Sequence, residues 1–123
     1  MFEVATRKKA KLRLALAGPS GSGKTLSALM IAGGMTDGDW SRVALIDTEH
    51  ERARFYADRS EWDIGEFLYQ PLLAPYKSQK YIDYATAGAA AVGEDGVLIV
   101  DSLSHAWEGE GGVLEYKSEV AKK

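Results

Sequence analysis

The residues with the clearest chemistry are Gly18, Pro19, Ser20, Gly21, Ser22, Gly23, Lys24 and Thr25, which satisfy the pattern G-x-x-x-x-G-K-[ST] in full. A loop that cradles a phosphate chain must aim its backbone N–H groups at one anion, and bulky side chains would obstruct that approach. Glycine permits the unusual dihedrals this needs. A helix directly after the loop adds free N–H groups and the positive end of its dipole. Lys24 supplies a mobile positive charge for the β- and γ-phosphates, in binding and in catalysis, and Thr25 offers a hydroxyl to Mg²⁺. Leu26, the next residue, is grouped with the loop as a nucleotide-binding position. The plainer reading is a flexible glycine turn with an exposed lysine. Chance alone matches the four fixed positions in about a few per thousand chains of this length. A strand signal before the loop and a helix signal after it favour the cradle.

Such a loop needs further acids. "VLIVDS" places Asp101 at the end of an apolar run, where an open α/β sheet gathers its ligands. An aspartate there can hold Mg²⁺, usually through a water. Equally, it can end a strand and cap the next turn with Ser102. "LIDTEHERARFYAD" carries Asp47, Glu49 and His50 just beyond another apolar run. Hydrolysis requires a group that orients and deprotonates water, and Glu49 is the candidate. The alternative is that Asp47 or Thr48 caps a helix and Glu49 merely favours its first turn.

These residues need a scaffold. "KLRLALAG" (Lys11–Gly18) has apolar residues at Leu12, Leu14 and Leu16, and predicts a strand. Lys24 to Met35 has helical apolar spacing. "RVALIDTE" (Arg42–Glu49) has a continuous apolar centre suited to a strand buried on both faces of a parallel sheet. A short helix is expected over Arg52 to Asp58, and a strand near Phe67–Tyr69 that ends at Pro71. Ser78 to Val92 reads as a helix and Val97–Asp101 as the clearest buried strand, with Gly93 and Gly96 flanking a turn. "WEGEGG" reads as a loop and "VLEYKSEVAKK" as a helix. The alternation predicts a three-layer α/β fold with a mostly parallel sheet. Residues 1–11 are expected to be a basic arm and 12–123 a single core.

Bulk properties narrow the classes. The chain has 123 residues, 46% hydrophobic and 27% charged, which suits one globular domain. A net charge of −3 speaks against a nucleic-acid surface spread over the whole domain, while Arg7, Lys8, Lys9 and Lys11 could form a local patch or a solvated arm. There is no cysteine, so disulfides, zinc–thiolate sites and cysteine nucleophiles are excluded, and a cytoplasmic location is expected. No apolar run approaches a membrane span and no secretory signal is visible, so no membrane partner is expected. The two histidines, His50 and His105, lack H-x-x-x-H spacing, so a histidine metal site is not expected. Trp40, Trp62 and Trp107 suit packing more than base stacking. Arg52, Arg54 and Arg59 lie near the segment after Glu49, where one could reach a neighbouring subunit's nucleotide.

The phosphate loop, "LIDTEH", a tyrosine seven residues after the glutamate and "VLIVDS" occur in the order of a RecA-type recombinase core, which the chain resembles over Lys11 to Ser104. The resemblance implies a RecA-like P-loop ATPase binding ATP and Mg²⁺. Within it, Glu49 is the catalytic carboxylate, Tyr56 stacks on adenine, and Asp101 is the second metal anchor beside Thr25. "AGPSGSGKT", "DTEHERARFYAD" and "DSLSHAWEGEGGVLE" look like the phage and prophage RecA-like ATPases of the single-strand annealing accessory type. That narrower resemblance implies DNA recombination or annealing in a bacterial or phage-infected cytoplasm. Cores of this kind continue past the Asp101 strand with a γ-phosphate sensor and DNA-binding loops. Nothing before Lys123 aligns with these, so the sequence is expected to be the N-terminal part of such a core, or a short relative that completes its site with another subunit. Single-stranded DNA contacts and homo-oligomer formation would then belong to the full-length form. Two other classes share the loop and the aspartate: a small-molecule kinase, and an assembly module gated by nucleotide without turnover.

Overall fold

The computed structural model describes residues 1–6, 11–19 and 22–121. Arg7, Lys8 and Lys9 of the basic arm, and Ser20 and Gly21 of the loop, lie outside the described residues. Val43–Asp47 forms β1, Leu68–Pro71 forms β2 and Val97–Asp101 forms β3, joined as a parallel sheet in the order β2-β1-β3. The helices are α1 (Lys24–Met35), α2 (Ser78–Val92), α3 (Ser104–Glu108) and α4 (Val113–Ala121), with 3₁₀ turns at Trp40–Arg42, Arg52–Tyr56 and Ser60–Trp62.

β1 is central because its apolar residues suit both faces of the sheet, and every residue of it is buried. Alternate residues point to opposite sides. Val43 and Leu45 join Leu29 and Ala32 of α1, together with Ala53, Ile64 and Phe67, in one core cluster. Ile46 joins Leu72, Tyr76 and Tyr81 of α2 in the other. Thus α1 covers one face of the sheet and α2 the other, giving the layered α/β arrangement the alternation predicts. Trp40 wedges beside α1, between Gly33 and Gly65. A Cβ added to either glycine would lie 2.6 Å from the indole, so the close approach requires glycine at both places.

α1, α2 and β3 run between the residues expected from the sequence. Several other expectations are corrected. Lys11–Gly18 forms no strand: it is exposed, with Leu12 at 62% and Leu14 at 56%. Alternation marks where a strand can form, but its hydrogen bonds must come from a neighbour, and among the described residues β3 pairs only with β1. For the same reason β3 is half-buried throughout, as suits an edge strand, and not the clearest buried strand. The strand expected to run to Glu49 stops at Asp47, because the next residues turn across the sheet edge. Trp107 and Glu108 finish α3 and do not begin a loop; the Gly109 amide donates to the His105 carbonyl at 3.0 Å to end that helix. Among the described residues no helix is long and apolar enough to cross a membrane.

Burial of β1 predicts where the fold is sensitive. Leu45 is fully buried, whereas Ile82 on α2 is 56% exposed. Leu45→Ala should lower the unfolding free energy by about 2–5 kcal/mol, and Ile82→Ala by about 0.5 kcal/mol or less. Urea melts of the two variants check the difference.

Candidate functional site

Parallel pairing brings the carboxyl ends of β1 and β3 to one edge. Asp47 stands opposite Asp101 in the register. The next residue locks the two strand ends together. The Thr48 amide donates to the Asp101 carbonyl at 2.8 Å, and the Thr48 hydroxyl accepts from the Ser102 amide at 2.8 Å. Thr48 is buried, and the Tyr81 hydroxyl of α2 donates to the Ser102 carbonyl from below at 3.3 Å.

Asp47 itself organises the turn after β1. Its carboxylate accepts from the Glu49 amide at 2.7 Å, the Ala53 amide at 3.1 Å and the Tyr69 hydroxyl at 2.8 Å. Burial, with the Asp47 carboxylate next, pushes the Tyr69 phenol far above its ordinary value, so it remains a donor. Thr48 and Asp47 therefore serve local structure, but not as helix caps: the 3₁₀ turn at Arg52–Tyr56 starts at Glu51 without a side-chain cap, and Thr48 joins the strand ends. Glu49 is left to face the sheet edge. The chain turns sharply after it, with φ of 54° at His50 and 66° at Glu51, left-handed values that side chains other than glycine adopt reluctantly. Glu49 is half-buried, and its Oε1 accepts from the Ser102 hydroxyl at 2.9 Å.

The phosphate-loop residues approach the same edge from α1. Gly23 precedes that helix with φ 87°, a conformation that favours glycine, and the first turn of α1 carries no acid. Thr25 Oγ1 donates to Asp101 Oδ2 at 2.5 Å. Lys24 Nζ donates to the carbonyls of Gly18 and Pro19, so the ammonium folds over the loop. Gly18 lies close beneath Ser22: a Cβ there would come within 2.8 Å of Oγ. Leu26 packs on the core cluster around Leu29. Burial, before other causes, raises the Asp101 carboxyl; Asp47 and Glu49 raise it further, while the Thr25 hydroxyl and Lys24 oppose the shift.

The donors fit a small hard cation. Mg²⁺ takes one or two protein oxygens and keeps waters and phosphate oxygens for the rest. A half-buried hydroxyl and carboxylate already in contact, beside two further acids and a lysine, match that demand. Among the described residues there is no group of three or more His, Cys, Asp or Glu that could cage a metal.

The remaining candidates lie apart from these contacts. Tyr56 packs on the core cluster of α1 and β1, and its ring meets Trp62 at 5.6 Å. Arg54 pairs with Glu51 and lies over Tyr69; Arg59 pairs with Glu61 and lies over Trp62. His50 is exposed. The sequence reading missed Ser102 and His105 as neighbours of Glu49. Parallel register was the available signal: if β1 and β3 pair, the residues just past Asp47 must meet those just past Asp101. No protein-family model, no curated protein and no solved structure matches this chain.

These carboxylates predict two outcomes. Asp47→Asn puts an amide N–H₂ where only acceptors are wanted, so it should destabilise the protein by about 1–3 kcal/mol in urea unfolding. Because Asp101 holds its proton to higher pH when folded than when unfolded, it favours folding in acid. That advantage is lost as pH rises from the ordinary carboxylate range through the raised value. Asp101→Asn should therefore gain stability relative to the parent protein as pH rises across that window, read from urea midpoints at each pH.

Proposed function

We propose that this chain is a RecA-like ATPase domain that binds Mg²⁺–ATP and hydrolyses it, and that it serves DNA recombination or annealing of the phage type. The observation that carries the reading is the contact between Thr25 of the phosphate loop and Asp101 of β3, with Glu49 turned toward the same edge. A glycine loop alone says only that an anion is held. A hydroxyl and a carboxylate in contact behind it give a place for a cation, and a separate carboxylate gives a base.

Thr25 and Asp101 would hold Mg²⁺, and Lys24 with the loop amides would hold the phosphates. Bound there, the metal neutralises charge on the phosphate oxygens. Lys24 exchanges its loop carbonyls for phosphate oxygens, which are charged and therefore stronger acceptors. Glu49 accepts a proton from water as the water oxygen bonds to the γ-phosphorus and the bond to the β–γ bridging oxygen breaks; ADP leaves with that electron pair. Asp47 contributes indirectly, by fixing the Glu49 backbone. The assignments of Tyr56 to adenine and of the biological setting rest on the resemblance in sequence.

Glu49→Gln preserves size and can still accept from Ser102. It should leave binding of a non-hydrolysable ATP analogue within about twofold and slow phosphate release by about 10²-fold or more. Unchanged phosphate release would remove Glu49 from the chemistry. A phosphorylated small molecule in place of free phosphate would replace the ATPase reading with a kinase.

A further inference from the structure

Ser102 is not the only neighbour of the Glu49 carboxylate among the described residues. His105, in the first turn of α3, places Nε2 3.8 Å from Glu49 Oε1, the oxygen that also accepts from the Ser102 hydroxyl. The two side chains come from one segment, three residues apart; Ser102 bonds to that atom and His105 lies beside it. Among the described residues no hydrogen bond reaches Oε2. The imidazole is itself fixed: it stacks on Tyr76 with ring centres 4.5 Å apart and planes 18° from parallel. Tyr76 is buried in the core cluster beneath α2, its exposure being 7%. The Tyr76 amide donates to the Glu110 carbonyl at 2.5 Å, which anchors the turn after α3 to the same residue.

We propose that Ser102 and His105 are positioning residues that clamp Glu49 through Oε1, with Tyr76 as the backing for His105, and leave Oε2 as the oxygen that meets the attacking water. A glutamate has three side-chain torsions, and one hydrogen bond leaves the carboxylate free to rotate about it. An imidazole beside the same oxygen, 3.8 Å away and held in place by its stacking on Tyr76, walls the carboxylate on that side and limits that rotation. Proper orientation of a base is worth orders of magnitude in rate, and small misplacements are costly. The proposal rests on Glu49 being the base.

The test compares His105→Ala, His105→Gln and Ser102→Ala with the parent protein, each also combined with Glu49→Gln. Steady-state ATP hydrolysis and binding of a non-hydrolysable Mg²⁺–ATP analogue are measured side by side. His105→Ala should lower kcat about tenfold while KM and analogue Kd stay within about twofold, the pattern of a group that acts only on the chemical step. His105→Gln, which keeps a polar side chain of similar reach beside the carboxylate, should recover part of the loss. On the Glu49→Gln background His105→Ala should cost nothing more, because its effect passes through the carboxylate. In the protein without nucleotide, Glu49→Gln should move the His105 ring resonances in NMR spectra. A loss carried by KM, an equal loss on both backgrounds, or unmoved ring resonances would each overturn the proposal. If His105→Ala fails to fold, His105→Gln and Ser102→Ala decide by the same criteria. Wild-type turnover in Glu49→Gln alone defeats the reading of Glu49 as base, and with it this proposal. A slow Glu49→Gln beside a fast His105→Ala defeats only the clamp.

Discussion

The parallel pairing of β1 with β3 is the constraint on which the rest depends. Its register sets Asp47 opposite Asp101, and Thr48 then closes the gap between the strands beyond that pair. Side chains alternate along a strand, so a slip of one residue would exchange the faces on which Leu45 and Ile46 pack. It would also part Glu49 from Ser102. The two core clusters therefore do more than stabilise the sheet. By fixing which face each β1 residue occupies, they fix which groups meet at its carboxyl edge.

That edge concentrates negative charge. Asp47, Glu49 and Asp101 lie close enough for the first two to raise the third. Each is answered by its own donors: two amides and the Tyr69 hydroxyl for Asp47, Ser102 for Glu49, and Thr25 for Asp101. The division separates an acid engaged by the fold from two that are less engaged. Asp47 is buried with its acceptors engaged, so it is committed to the fold. Glu49 and Asp101 are half-buried and lightly engaged, which leaves them acceptor capacity. Repulsion that burial leaves uncompensated at Asp101 is the kind a bound cation offsets.

Much of the scaffold was legible in the sequence because its signals are local. The spacing of Leu26, Leu29 and Met30 marks α1, and the apolar run from Val97 marks β3. Candidate loop, base and metal residues were legible for the same reason, as short patterns beside strand ends. The features that could not be read depend on partners distant in sequence. The alternation in Leu12, Leu14 and Leu16 is as regular as any in the chain, yet among the described residues no neighbour pairs with it. Whether "DTEH" supplied a cap or a base was ambiguous because its acids part ways: Asp47 binds the amides of Glu49 and Ala53, while Glu49 meets the Ser102 hydroxyl. His105 was weighed only as a metal ligand, since only the fold brings it to Glu49 and Tyr76.

The exposed segment before the phosphate loop changes how that loop is held. Without a ladder on its amino-terminal side, the described loop residues are tied to the sheet through α1. Leu29 and Ala32 seat that helix on β1, and the Thr25 hydroxyl joins its start to Asp101. At the other side, Lys11 reaches the Glu94 carbonyl just before β3 through its exposed ammonium. An exposed contact of that kind contributes little next to a packed helix face. The position of Lys24 relative to Asp101 is thus set mainly by the packing of α1. Lys24 itself binds the carbonyls of its own loop, a contact that an arriving anion can replace without disturbing either core. The rigid part of the arrangement carries the carboxylates, and the adjustable part carries the positive charge.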